Sequence, residues 1–86
     1  MIDLTPDEYT DLYNLVDSGQ AKLLRLSAQV SAKTAGERVL ASETSVCYWE
    51  RGRVPVDPYV RRRYYTFLCE LRERLGEITV AYGTKI

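Results

Sequence analysis

Few side chains in this sequence are of the types that perform catalysis or hold metal ions. The chain of 86 residues contains no histidine, which is the commonest general base and a frequent metal ligand. Cys47 and Cys69 lack the spacing of a zinc site, so we interpret them as reduced thiols. No nucleophile elbow or phosphate-binding loop is present. The sequence therefore predicts that the protein is not an enzyme. It indicates no cofactor, metal or small-molecule ligand.

The stretch from Val30 to Gly52 has the pattern of two short helices joined by a tight corner. Ser31 and Ser42 can each cap a helix by accepting a hydrogen bond from a free backbone N–H. Gly36 is unfavourable inside a helix by about 1 kcal/mol relative to alanine, which predicts a second helix crossing too closely for a Cβ. Helical spacing places the inward-facing residues at Ala35, Gly36, Val39, Val46 and Trp49. This is the plan of a helix-turn-helix, in which the free side of the second helix enters the DNA major groove.

The rest of the chain predicts an all-α fold, a compact bundle of about five helices with a possible short C-terminal strand. Thr5-Pro6-Asp7-Glu8 has the pattern of a capping box and begins a helix over about 6–16, followed by a second helix over about 19–28. Asp57 and Pro58 begin a last helix, which we expect to stop at Gly76. The alternation of side chains over 77–86 indicates either a strand that pairs with another chain or a disordered tail.

We expect three parts in this chain. Residues 1–18 form an acidic leader helix packed on the domain, residues 19–76 form the helix-turn-helix domain, and residues 77–86 form a tail that could be a dimerisation strand. Leu23 and Leu26 lie off the inward face of the second helix, which is therefore apolar on more than one side. The leader helix or a second copy of the chain could cover them. We expect the leader helix, because it is tethered and carries apolar residues of its own.

Charge is distributed unevenly along the chain, although the net charge is zero. Residues 1–20 contain five acids and no base, whereas residues 21–74 contain eleven bases and six acids. A basic helix-turn-helix segment suits a DNA-binding surface, and ordinary solvated charge is the alternative. The chain has no apolar run long enough to span a membrane and no signal-peptide pattern, so we expect a cytoplasmic protein.

The pattern Val-Ser-x4-Gly-x2-Val-x2-Ser-x3-Val-x2-Trp-Glu-Arg-Gly, which begins at Val30, resembles the XRE-type helix-turn-helix family. That family includes the lambdoid phage repressors and Cro proteins. The resemblance covers about residues 19–71, and its tightest part is the run from Trp49 to Gly52 followed by Pro55. The opening from Ser18 to Arg25 is similar to the form found in actinobacterial and actinophage members.

The resemblance implies roles for individual residues. An ion pair between Arg25 and Glu50 is expected, and it would also offset the unfavourable position of a carboxylate at a helix C-terminus. The family's base-reading positions correspond to Glu43, Thr44, Ser45, Cys47 and Tyr48. The positions near the DNA backbone correspond to Ser31, Lys33, Arg51 and Arg53, which would fix the register of the protein on DNA.

Two of these assignments have alternatives. Glu43 could accept a hydrogen bond from a cytosine amino group, or it could simply be a favourable acid in the first helical turn. The arginines of 61–63 could face phosphate from the edge of the last helix, or they could form a solvated face.

Three residues depart from the family pattern. Ala32 replaces the usual glutamine at the head of the first motif helix, so that contact to DNA is lost. Ala35 replaces a larger aliphatic residue and thins the core. Leu40 occupies a corner position that usually holds glycine at positive φ, and because leucine is strained there we expect the corner to be opened or reshaped.

Together these features predict a sequence-specific DNA-binding transcriptional regulator, a small phage-type repressor or Cro-like protein whose recognition helix spans about 43–50. Useful affinity would require a homodimer on a double-stranded operator. The alternative is a helix-turn-helix fold used as a protein-interaction module, such as an antirepressor or regulatory adaptor. Zero net charge, Glu43, Ala32 and the acidic leader favour that alternative.

Overall fold

The computed structural model describes the backbone of residues 3–83 and the side chains of residues 3–76. The described residues form helices and connecting turns, without a strand. The predicted all-α architecture of about five helices is confirmed. The helices are α1 (Pro6–Asp17), α2 (Gln20–Ser27), α3 (Ala32–Val39), α4 (Glu43–Glu50) and α5 (Pro58–Gly83).

Side-chain N-caps begin most of these helices. At α1 the Thr5 side chain accepts from the backbone N–H of Glu8, and the Glu8 side chain accepts from the backbone N–H of Thr5. Ser31 and Ser42 accept the N–H groups three residues ahead, at 3.1 Å and 3.0 Å, and begin α3 and α4. Asp57 does the same for α5 through its carboxylate. Each of these hydrogen bonds satisfies a donor that has no partner inside its helix.

All five helices contribute to one core. Its buried apolar side chains are Leu4, Leu12, Leu15, Val16, Ala21, Ala35, Val39, Val46, Trp49, Tyr64, Phe67, Leu68 and Leu71. The acidic leader is therefore part of the same core as the helix-turn-helix. However, the expectation that it covers Leu23 and Leu26 is wrong, since these side chains are 61% and 51% exposed. The reason is geometric: the side of α2 that carries Ala21 is buried in the core, and Leu23 and Leu26 lie on the other side of the helix, in solvent.

The expected strand is also not found among the described residues. The backbone of residues 77–83 continues α5 as a helix past Gly76, so the alternation of side chains was misleading, and residues 84–86 lie outside the described part. A helix pairs its backbone N–H and C=O groups with each other, whereas a lone strand needs hydrogen bonds from a partner strand, which the described residues do not offer.

No described helix has both the length and the apolar character needed to cross a membrane.

The corner between α3 and α4 is as tight as Gly36 predicts. A Cβ built on Gly36 would lie 2.9 Å from the carbonyl oxygen of Ala41 and 3.0 Å from the carbonyl carbon of Ser42. Leu40 accepts the left-handed conformation at φ 59° and ψ 45°, so the expectation of an opened or reshaped corner is wrong. This conformation costs a residue with a Cβ about 1–2 kcal/mol. The backbone N–H of Ala41 donates to the carbonyl oxygen of Gly36 at 2.8 Å, which closes the turn in place.

Ion pairs bind the leader to the last helix. Hydrogen bonds from Arg72 and from the hydroxyl of Tyr65 hold the pKa of Asp11 below its ordinary value. The pairs are Asp3–Arg61 at 2.8 Å, Glu8–Arg62 at 2.9 Å and Asp11–Arg72 at 2.8 Å. The acidic leader thus neutralises one edge of α5.

Gly36 and Gly76, which both lie inside helices, offer a matched test of the close crossing. Gly36→Ala should lower the free energy of unfolding by about 1–3 kcal/mol, because the new Cβ meets backbone atoms that cannot move independently. Gly76→Ala should raise it by up to about 1 kcal/mol, since a Cβ at this position would meet no atom within 4 Å and alanine favours a helix. Urea denaturation measures both. Changes of the same sign in the two variants would contradict the close crossing.

Asp11 should make stability sensitive to acid. Its pKa is lower in the folded state than in the unfolded chain, so the stabilisation is complete above about pH 4 and is lost as pH falls through the folded-state value. Asp11→Asn should lower stability at neutral pH and give a flatter decline below about pH 4. Asp17→Asn is the control, because Asp17 is exposed and forms no ion pair with a described residue. Parallel acid-unfolding curves for wild type and Asp11→Asn would refute this role.

Candidate nucleic-acid interface

Helix α4 has one face fixed in the core and one face free. Val46 is fully buried, and the ring of Trp49 lies 4.8 Å from that of Tyr64, measured between centroids. On the opposite side Thr44 and Tyr48 are four residues apart and both exposed. Their side chains form no hydrogen bond with another described residue. The free face therefore presents a hydroxyl and a phenol that can bond to a ligand.

The other three predicted base-reading residues differ in how available they are. Glu43 is exposed in the first turn of α4 and has no side-chain partner among the described residues. Cys47 is half-buried as a free thiol. Ser45 is half-buried, and its hydroxyl accepts a hydrogen bond from the capping hydroxyl of Ser42 at 2.9 Å. The Ser45 hydroxyl is therefore already bonded to the N-cap of α4, which makes Ser45 the weakest candidate for base contact in this structure.

The predicted pair between Arg25 and Glu50 is present and buried. Nε and Nη2 of Arg25 donate to the two carboxylate oxygens of Glu50 at 2.5 Å and 3.0 Å, a bidentate arrangement. The side chains are only 9% and 5% exposed. The hydrogen bond to Glu50 raises the pKa of Arg25. Nη1 of Arg25 also donates to the carbonyl oxygen of Val30 at 2.9 Å, so one guanidinium connects α2, the start of the motif and the end of α4.

The residues predicted to contact phosphate lie at two places along the motif. Ser31 and Lys33 are exposed at the head of α3, and Arg51 and Arg53 are exposed just beyond α4. The Arg53 guanidinium lies 5.1 Å from the centre of the Tyr48 ring, a cation–π distance that couples a basic side chain to a candidate base reader. None of the three basic residues among them forms an ion pair with a described acid.

The structure adds Lys22 to this surface. Lys22 lines a shallow cavity of about 170 Å³ between α2 and α4, together with Cys47 and Arg51. The sequence held a usable signal, because Lys22 lies three residues before Arg25 and so shares its face of α2. Lys22 was missed because its proximity to Arg51 depends on how the two helices pack.

The arginines of 61–63 do not join this surface. Arg61 and Arg62 pair with Asp3 and Glu8 of the leader, and Nε of Arg63 donates to the carbonyl oxygen of Val39 at 2.8 Å. Arg61 and Arg62 are therefore bound to acids of the same chain instead of standing free for phosphate, whereas Arg63 keeps its Nη groups available. The basic residues predicted to contact phosphate form no ion pair with a described acid, whereas three of the five arginines of α5 are paired with acids of the leader.

Arg25→Ala should destabilise the protein strongly, because Glu50 would be left as a buried charge without a partner. Loss of one partner of a buried pair typically costs about 3–5 kcal/mol. For a domain of this size that lowers the melting temperature by at least about 12 °C. Replacing both residues by methionine should cost less than Arg25→Ala alone, because no charge is then stranded. Calorimetry measures both variants, and an unchanged melt of Arg25→Ala would rule out the role given to this pair.

Comparison of the chain with protein-family models, with curated proteins and with solved structures finds no match in any of the three.

Proposed function

We propose that this protein is a sequence-specific DNA-binding transcriptional regulator that inserts the free face of α4 into the major groove of an operator. The observation that carries the proposal is the division of α4 into two faces. Its inner face is fixed by Val46, Trp49 and the ion pair of Glu50, while its outer face presents polar groups without hydrogen-bond partners among the described residues. A groove reader needs a rigid support for such groups, because their positions decide which base they contact.

The distribution of charge also supports DNA binding by the outer face of α4. Lys33 at the head of α3, and Arg51 and Arg53 just after α4, are exposed and have no carboxylate partners among the described residues. Free bases of this kind can bind the phosphates beside a major groove that a helix occupies. The acidic leader, which would repel DNA, has three of its carboxylates paired with arginines of α5. The zero net charge of the chain therefore does not oppose DNA binding, because the opposite charges occupy different parts of the surface.

The chain presents one recognition helix, which can read only a few base pairs. We infer that two copies occupy one operator with their α4 helices about 34 Å apart, one turn of DNA. Such a protein would repress by blocking polymerase in the cytoplasm of a bacterial host, without cofactor or catalysis.

The competing proposal is a protein-interaction module. The exposed Leu23 and Leu26 favour it, since neither leucine is needed for contact with DNA.

Selection of bound sequences from a random DNA pool should yield a defined operator, and binding to it should weaken steeply as salt rises. On that operator, Arg51→Glu with Arg53→Glu should abolish gel retardation. The double variant Arg38→Glu with Arg74→Glu changes net charge equally at exposed residues of α3 and α5 and should retain binding.

Thr44→Ala should lower the binding free energy for the selected operator by about 1–3 kcal/mol and relax the base preference at one position of that operator. The dependence of affinity on salt concentration should stay unchanged, because Thr44 does not contact phosphate in this proposal.

The interaction-module alternative predicts a different result. The selection would return no consensus, and charge reversal at Arg51 and Arg53 would leave partner binding intact. Equal loss of DNA binding in the two double reversals would contradict the assignment of the phosphate contacts to these residues.

A further inference from the structure

A second surface lies where the last turn of α3 meets the middle of α5. It contains an open cavity of about 220 Å³ with the buried ring of Phe67 among its walls. No residue of α4 or of the loop after it lines this cavity, so it is separate from the candidate DNA surface. The lining residues are Arg38, Arg62, Arg63, Thr66, Phe67 and Glu70.

The charges in this cavity are not balanced. Arg62 is paired with Glu8 of the leader, but Arg38 and Arg63 have no carboxylate within ion-pair distance among the described residues. Arg63 uses its Nε for the carbonyl oxygen of Val39, which holds the side chain in place and leaves its Nη groups available. Against these two guanidinium groups stands Glu70, which also forms no ion pair with a described residue. The cavity therefore has one positive charge in excess, which matches one carboxylate.

A large apolar side chain follows directly after Val39, the residue whose carbonyl oxygen holds Arg63. Leu40 follows Val39 directly, is 73% exposed, and holds the left-handed backbone conformation that is unfavourable for a leucine. Strained residues of this kind are frequent at functional sites. A strained residue that also exposes a large apolar side chain to water is explained if that side chain has a binding partner.

We propose that Arg38, Leu40, Arg63 and the cavity over Phe67 form a docking surface for an acidic segment of another protein. A carboxylate of the segment binds between the two guanidinium groups, and a neighbouring apolar side chain packs on Leu40 and Phe67. DNA is a poorer match, because the exposed apolar side chain of Leu40 gives nothing to a phosphate backbone. The surface goes beyond the proposed DNA binding and does not depend on it.

The probe is a soluble peptide in which glutamate and leucine alternate, titrated into the isotope-labelled protein and followed by NMR. We expect a dissociation constant below about 1 mM, with shift changes concentrated at the amides of Arg38, Leu40 and Phe67. Arg38→Gln should weaken binding about threefold, as for an exposed ion pair. Leu40→Gly should weaken it about tenfold through lost apolar contact, and yet raise the melting temperature by roughly 4–8 °C through relief of the backbone. A purely structural role for Leu40 cannot give that combination.

Matched controls remove an equivalent group elsewhere. Leu23→Ala truncates another exposed leucine, on α2, and Arg74→Gln removes another exposed arginine, on α5; both should leave peptide affinity unchanged. A peptide with glutamine in place of glutamate should not bind. The proposal is overturned if no shifts change at the three amides, or if Leu40→Gly and Arg38→Gln leave affinity intact. It is equally overturned if inorganic phosphate produces the same shifts, since the cavity would then be a simple anion site.

Discussion

The close approach of α3 to the start of α4 at Gly36 is the constraint on which the rest of the structure depends. With backbone atoms 2.9–3.1 Å from a hypothetical Cβ, no other side chain fits without moving one helix. This contact sets the angle at which α4 leaves the corner and therefore decides which of its residues face out. Arg25 then fixes the far end of α4 by its two hydrogen bonds to Glu50. A helix held at both ends can present side chains in a reproducible geometry.

Charge is segregated by the same packing. Acids of the leader form ion pairs with arginines of α5, and these arginines would otherwise add to the positive charge of the surface. Among the described residues, bases without an ion-pair partner remain on the helix-turn-helix and at Arg63 and Arg74 of α5. Net charge is thus a poor guide to this protein, because its partners would meet particular surfaces and not the sum of all charges.

Two positions lower stability in the described structure. Leu40 bears the left-handed backbone, and the hydroxyl of Tyr64 is buried without a hydrogen-bond partner among the described side chains and backbone groups. Burial raises the pKa of Tyr64, so the phenol stays neutral. The two differ in what they can do, since Tyr64 fills the core beside Trp49 while Leu40 faces solvent. Only an exposed strained residue can offset its strain by contact with a partner, so of the two only Leu40 can gain from a docked segment.

The sequence by itself determined what depends on neighbouring residues. Caps at Thr5, Ser31 and Ser42, the inward face of α4 and the close crossing at Gly36 all follow from spacing of a few positions, because helical hydrogen bonds and periodicity are local. The pair of Arg25 with Glu50, 25 positions apart, came from the family resemblance and not from spacing.

Only the tertiary structure decided the contacts between distant segments. The leader acids and their arginine partners on α5 are 54 to 61 positions apart in the sequence. No local pattern could therefore show that Arg61 and Arg62 are paired with acids of the same chain. The exposure of Leu23 depends on which side of α2 is packed in the core. The conformation of Leu40 depends on the corner being closed from both sides, by the hydrogen bond from Ala41 and by the packing of α3 on α4. Packing across the fold outweighs the local preference of a single residue, and the preferences of single residues are all that a sequence displays directly.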